Sequence, residues 1–507
     1  MSDREGELSS LISSAGLVTV GAIVSSFALL VERIIIGRVL TVEAYGEVSI
    51  GISLLAIGVT ISLVGFSQGI PRYMARYDRR ADKRGVWIAG LGIAGGVSLC
   101  AVLILYPNAE TISSLFFEDV ESVRMVRMFV LAIPLVVGLE VGIAAIRGLE
   151  NTIYKVLVQD LFYPIFRIGL LFGLLLGGLE LTAPAIAYIA AASLSVVLAH
   201  ALLQRLLSLV GQFRTSAREL LTFSLPLVFA TIFASLLTKV DTFMLGYFRS
   251  SFEVGLYSAA YPLAQGMLVV LGAFGFLYLP LASRLDADGE REEVDAIYKV
   301  TTKWIYIITF PALLAFVAFP ADVLEIFFGA DYRAGAIALV VLSLGFFTNA
   351  AYGRNRETLS ALGYPRYILA GNLAALVLNI ALNLILIPAY GVVGAAVTSA
   401  VSFLSFNLLI YVILVQKFDI SPFSHWSVRT AVLLPVVLGP PALLLSAAVS
   451  LSPITLVLFL GTAGIASLTV VCLTGCLEPD DRVAIDLVED IVGIRVPLIR
   501  RFLPGSH

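Results

Sequence analysis

Apolar and polar positions in this chain alternate in long blocks, not at the two-residue period of a strand or the 3.6-residue period of a surface helix. Fourteen apolar blocks are separated by short polar turns: 13–37, 46–70, 86–106, 126–147, 156–178, 183–207, 221–246, 254–281, 299–319, 335–353, 367–387, 391–415, 429–449 and 453–475. Each is long enough to cross about 30 Å of hydrocarbon, which takes about 20 residues of helix. Most are apolar all round, which argues against helices lying flat on a membrane. Backbone groups in lipid must pair within a segment, so the blocks predict helices, called spans 1 to 14 below. Pro134, Pro164, Pro226, Pro262 and Pro311 are expected to kink theirs. The fold class predicted is an all-α polytopic membrane protein.

The pattern repeats. Shifting the chain by 209 positions lays Glu32 on Asp241, Gly37 on Gly246, Gly46 on Gly255, Ser49 on Ser258, Leu54 on Leu263 and Pro71 on Pro280. Six spans separate a residue from its copy, so the copies share one orientation and form parallel repeats, a plan used by transporters built of two bundles. The expected organisation is a six-helix bundle over 1–207, a cytoplasmic linker over 208–220, and a second six-helix bundle over 221–415. Two additional spans over 429–475 and a tail over 476–507 follow, with an amphipathic surface helix expected around Ile485 to Val492. The polar start, Met1 to Ser10, lacks a cleavable signal pattern, so span 1 is expected to be retained.

Arg and Lys concentrate in alternate loops: Arg72 to Arg84, Arg147 and Lys155, Arg214 and Arg218, Arg284 to Lys299, Arg354 to Arg366, Lys417, and Arg482 to Arg501. The richer side is expected to be cytoplasmic, which places both termini inside a cell membrane. Composition agrees: 59% of residues are hydrophobic and 14% charged, against roughly 25% charged in soluble domains. A net charge of −3 gives no bulk reason to expect nucleic acid. Cys100, Cys472 and Cys476 lie in or beside apolar blocks without histidine neighbours, a poor metal set. No loop exceeds about 20 residues, so no separate catalytic domain, catalytic residue, metal or cofactor is expected.

A charge at mid-membrane costs about 2.5–3.5 kcal/mol on insertion scales, so each calls for a reason. Arg167 lies deepest, in span 5, with Asp160 two turns away on the same face and Glu140 on the preceding span. One reading pairs Arg167 with Glu140 or Asp160 as a lock between helices; the other exposes it to a cavity as the holder of an anionic headgroup. Glu32 and Arg33 in span 1 and Lys239 and Asp241 in span 7 occupy matched places in the repeats. They either snorkel to the outer surface or face the pseudo-symmetry axis, where Arg and Lys would hold phosphate. The candidate substrate-binding set is therefore Arg33, Glu32, Lys239, Asp241, Arg167 and Asp160. Asn349, Asn372, Asn379, Asn383 and Asn407 read chiefly as links between packed helices.

Several short stretches carry a resemblance. They are Gly37-Arg38-Val39-Leu40 leading to Tyr45-Gly46, Gly69-Ile70-Pro71-Arg72-Tyr73 before the basic cluster, Arg147-Gly148-Leu149-Glu150, and Tyr390-Gly391-Val392-Val393-Gly394-Ala395-Ala396. Across roughly residues 10 to 475 the chain resembles the Wzx-type polysaccharide-biosynthesis flippases, in the superfamily that also holds MATE drug exporters and lipid II flippases. The resemblance implies a V-shaped two-bundle fold and movement of a polyprenyl- or dolichyl-linked oligosaccharide from the inner to the outer leaflet. It implies a monomer in contact with membrane lipids, with H+ or Na+ as a candidate coupling ion and glycan-assembly proteins as candidate associates. A cation-coupled MATE-type multidrug exporter is the alternative, and a membrane-embedded glycosyltransferase is disfavoured by the short loops. Cationic residues on the first and seventh spans are a family tendency that Arg33 and Lys239 match loosely.

Overall fold

The computed structural model describes residues 2–117, 120–215 and 217–482; the surface helix expected around 485–492 lies outside them. The described residues are helices joined by turns, without strands. Thirteen helical segments are long and apolar enough to span: Gly16–Val39, Val42–Arg76, Arg80–Leu105, Glu121–Gly148, Thr152–Leu176, Ala183–Leu206, Ala217–Phe248, Ser251–Gly272, Arg291–Ala318, Ala330–Ala361, Pro365–Phe418, His425–Ala448 and Pro453–Leu473. Pro365–Phe418 holds 54 residues, about 81 Å of helix at 1.5 Å per residue, more than twice a hydrocarbon core. Gly391 breaks it with φ 56° and ψ −133°. Spans 11 and 12 are its two halves, so all fourteen expected blocks are helices. The protein is an all-α, multi-pass membrane protein.

Two further local departures from regular helix have readable causes. Span 2 ends its first helix at Ser62 and restarts at Phe66, with Val64 and Gly65 both at positive φ. A Cβ on Gly65 would lie 2.6 Å from the Ser224 carbonyl oxygen, so span 7 packs into the break. Span 5 winds as a π-helix over Val156–Phe162, immediately before Pro164. Pro164 has no N–H for the carbonyl four residues back, which relaxes the winding there. Helix continues through Pro134, Pro226, Pro262 and Pro311.

The chain divides into two compact units, Met1–Ser258 and Ala259–His507. The segment expected to link two bundles, 208–220, lies inside the first unit, because span 7 packs there. Leu220 and Ser224 abut Gly69, where a Cβ would come within 2.2 Å of the Ser224 hydroxyl. At the centre of this unit is span 4, with Phe129, Ile133, Val137 and Leu139 all inaccessible. Gly51 and Gly58 of span 2 admit the Phe129 and Ile133 side chains at distances that a Cβ would close to 2.5 and 2.6 Å. Small residues at such crossings allow the close van der Waals packing that joins helices in lipid.

In the second unit span 9 is central. Tyr306 and Phe310 meet Phe347 of span 10 edge-on, the nearer ring centroid 4.8 Å away. Buried amides tie the helices around it: Asn355 donates to Asn407 at 2.8 Å, and Asn407 donates to Thr348 and Asn349 at 3.1 and 3.3 Å. Asn383 donates to Asn379 at 3.0 Å within span 11. These are packing links, as expected for most of the amide inventory. Spans 13 and 14 pack on span 9 and on each other.

Candidate functional site

Span 1 places Glu32 and Arg33 on adjacent faces, and the two side chains part company. Glu32, only 1% exposed, accepts a hydrogen bond from Arg167 Nη2 at 2.5 Å. Arg167, 4% exposed, sits over the rings of Tyr188 and Tyr163, 4.2 and 4.8 Å from their centroids. A guanidinium's planar cation suits both contacts at once: carboxylate at its edge, aromatic faces above and below. The deepest cation thus lies in an aromatic cage of spans 5 and 6, held by a carboxylate from span 1.

The partners that chain order suggested for Arg167 are elsewhere. Asp160 accepts from Lys155 at 2.7 Å, nearer the end of the span. Glu140 forms no ion pair among the described residues. The π-wound turn that carries Asp160 turns its face relative to Arg167, and span 1 packs against both that turn and the helix after it. Consecutive helices are the natural first guess for a pair, but here a helix four spans earlier in sequence supplies the partner.

With Glu32 committed, Arg33 is left half-buried and shares a hydrogen bond with the Tyr45 hydroxyl, which itself donates to the Ser258 carbonyl at 2.9 Å. Asp241 of span 7, 1% exposed, accepts from Tyr257 at 2.7 Å. Its neighbour Lys239 is half-buried and lies within electrostatic reach of Arg33. Five of the six expected site residues therefore fall into one region of the first unit, and Asp160 falls outside it. Each carboxylate has a donor of its own, while Arg33 and Lys239, within electrostatic reach of each other, form no salt bridge among the described residues, and Glu32 acts on Arg33 only through space. Two like charges held together in low dielectric repel, and an anion between them removes that cost.

Sequence reasoning missed the tyrosines. Tyr163 stands four residues before Arg167, a helical neighbour that was legible; Tyr188 and Tyr257 come from other helices and left no local signal. It also missed a second buried cluster, far from these cations in sequence. Lys303, 1% exposed, donates to Glu478 and Asp481 at 2.6 Å each, and Trp304 donates to Asp481 at 2.9 Å. All four groups are mutually satisfied, which makes this a structural clamp between span 9 and the segment after span 14.

Helices of this number, a broken second span and carboxylates buried at matched places in two repeats, Glu32 and Asp241, define a polytopic transporter-like membrane protein. The chain belongs to the polysaccharide biosynthesis protein family, whose pattern covers residues 11–286; the MatE pattern covers 226–385. It is 26% identical over 231 residues to the probable low-salt glycan biosynthesis flippase Agl15 of Haloferax volcanii, a match covering 46% of this chain and 49% of that one. It is 24% identical over 170 residues to a putative O-antigen transporter of Shigella flexneri, covering 33% and 40% respectively. The matched stretches thus span half or less of these relatives' lengths. In fold it is similar to the lipid II flippase MurJ in an inward closed conformation, with a TM-score of 0.69 and 12% identity over 89% of this chain and 97% of that one.

Proposed function

We propose that the protein is a flippase that moves a lipid-linked oligosaccharide, on a polyprenyl or dolichyl phosphate or pyrophosphate, from the cytoplasmic to the outer leaflet. It is a carrier and not an enzyme: the lipid tail stays in the bilayer while the charged headgroup crosses. The observation that carries this reading is the pair Arg33 and Lys239, two cations within electrostatic reach of each other, neither in a salt bridge among the described residues. Arg offers a bidentate fork and Lys a point charge, the donors that phosphoryl oxygens take. Arg167 then serves the site by occupying Glu32, which would otherwise cancel Arg33. Family membership and the glycan-related relatives support the same cargo. A cation-coupled drug exporter would call for the opposite balance, with carboxylates exposed to the ligand. The chain is expected to work as a monomer in the cell membrane, with both termini cytoplasmic.

The test uses purified chain in liposomes and a fluorescent polyprenyl-diphosphate glycan, with flipping read by the fraction shielded from an impermeant quencher. Arg33→Ala and Lys239→Ala should each slow flipping at least tenfold without changing insertion, since one charge-assisted hydrogen bond to phosphate contributes about 1.5–3 kcal/mol. Wild-type rates in both variants would remove these cations from the path.

A further inference from the structure

Spans 13 and 14 leave a groove between them, with a volume of about 420 Å³, lined by His425, Val428, Arg429, Val432, Leu433 and Leu473. The lining is graded. His425 and Arg429, one helical turn apart, lie at the start of span 13, whose capping box begins at Ser424. Val428 lies between them, deeper in the span the walls are Val432 and Leu433, and across the groove stands Leu473, 70% exposed. Neither His425 nor Arg429 has a carboxylate partner among the described residues. Of the acidic groups near in sequence, Glu478 and Asp481 are taken up by Lys303 and Trp304, while Asp419 and Asp480 are exposed and in no salt bridge among the described residues. Among the described residues the rim thus offers a guanidinium and an imidazole, neither in an ion pair. The groove also faces outward: only 11% of span 13 and 22% of span 14 are buried within the protein, so their other faces meet lipid.

We propose that this groove binds an acidic phospholipid, with the phosphate on Arg429 and His425 and one acyl chain along the valine–leucine wall. From His425 to Leu433 the helix rises about 12 Å, enough for a glycerol backbone and the upper part of a chain. Basic side chains at the end of a span, beside an apolar cleft, are the chemistry that recognises acidic headgroups at a membrane surface. The site is separate from Arg33 and Lys239 and stands whether or not the cargo is a glycan lipid.

The experiment places the full chain in nanodiscs of phosphatidylcholine mixed with phosphatidylglycerol, then counts lipids retained after gentle detergent release by intact-complex mass spectrometry. One phosphatidylglycerol should be retained in preference to phosphatidylcholine. Arg429→Ala should weaken that preference about fivefold, corresponding to ~1 kcal/mol for one basic side chain near an acidic surface, and adding His425→Ala should weaken it further. Val432→Trp, which fills the groove, should displace both lipids while the melting temperature holds. Equal retention of the two phospholipids overturns the proposal. So does a preference untouched by all three variants, or retention of a host glycan lipid in place of phosphatidylglycerol.

Discussion

Arg167 carries the clearest energetic consequence of any single residue. A buried ion pair is weak evidence of net stability, because desolvation offsets much of the attraction. Breaking it is another matter: Arg167→Ala would leave Glu32 charged, 1% exposed and without its donor. That variant should lose about 3–5 kcal/mol of stability, measured as a fall in the unfolding midpoint of the detergent-solubilised protein. The double variant Arg167→Leu with Glu32→Leu should recover most of the loss, and flipping with it, since no free carboxylate is then left beside Arg33. A double variant as unstable as the single one would mean that the cage, not the charge, is what matters. The sequence marked Arg167 and Glu32 as costly charges, and both are indeed buried. It could not pair them, because the pairing depends on which helix span 1 packs against, and no periodicity encodes that. The same limit explains Tyr188 and Tyr257, ordinary aromatics until tertiary packing sets them against a charge.

Among the elements, the starts of spans 2 and 8 hold the most informative contact. The preceding helices end at Val39 and Phe248 and these begin at Val42 and Ser251, so the boundaries repeat at the 209-residue offset read from side chains alone. The two starts touch reciprocally. A Cβ on Gly46 would lie 1.9 Å from the Ser251 carbonyl oxygen, and one on Gly255 would lie 2.1 Å from that of Val42. Each glycine thus faces the first residue of the other helix, as in a two-fold interface where one patch meets its own copy. The glycines at 46 and 255 were visible as a repeat; their meeting was not. Overpacking costs about 1–3 kcal/mol, so Gly46→Ala and Gly255→Ala should each lower the melting temperature and slow flipping. Gly92→Ala is the control, since a Cβ there meets nothing within 4 Å. Melting and flipping as in the control would mean that the contact is loose in the membrane. Span existence was the easy part, because runs of apolar residues dictate it. The break at Val64 was illegible, since a β-branched residue is the last expected at positive φ.

For the molecule as a whole, the loops supply an internal check on the alternation of spans. Number them by the spans they follow. Loop 2 meets loop 6, where Arg214 N–H donates to the Ala81 carbonyl at 3.1 Å. Ser122, after loop 3, donates to Glu47, after loop 1, at 2.6 Å. In the second unit, Ser421 N–H in loop 12 donates to Asp295 beside loop 8 at 2.8 Å, and Leu451 N–H in loop 13 donates to Asp322 in loop 9 at 2.8 Å. Even meets even and odd meets odd, which is what strict alternation across a bilayer demands. On the arginine bias the even loops are expected to be cytoplasmic, which sets the proposed direction in which a headgroup would travel. Single cysteines test that assignment in a background where Cys100, Cys472 and Cys476 are replaced by alanine. Glu180 lies in loop 5 and Asp288 in loop 8, and both are exposed. An impermeant maleimide applied to intact cells should label Glu180→Cys, and should label Asp288→Cys only after the membrane is opened. The reverse pattern would invert the molecule, putting its densest arginine cluster, Arg72 to Arg84, outside the cell, and an inside-to-outside path for the glycan would have to be abandoned.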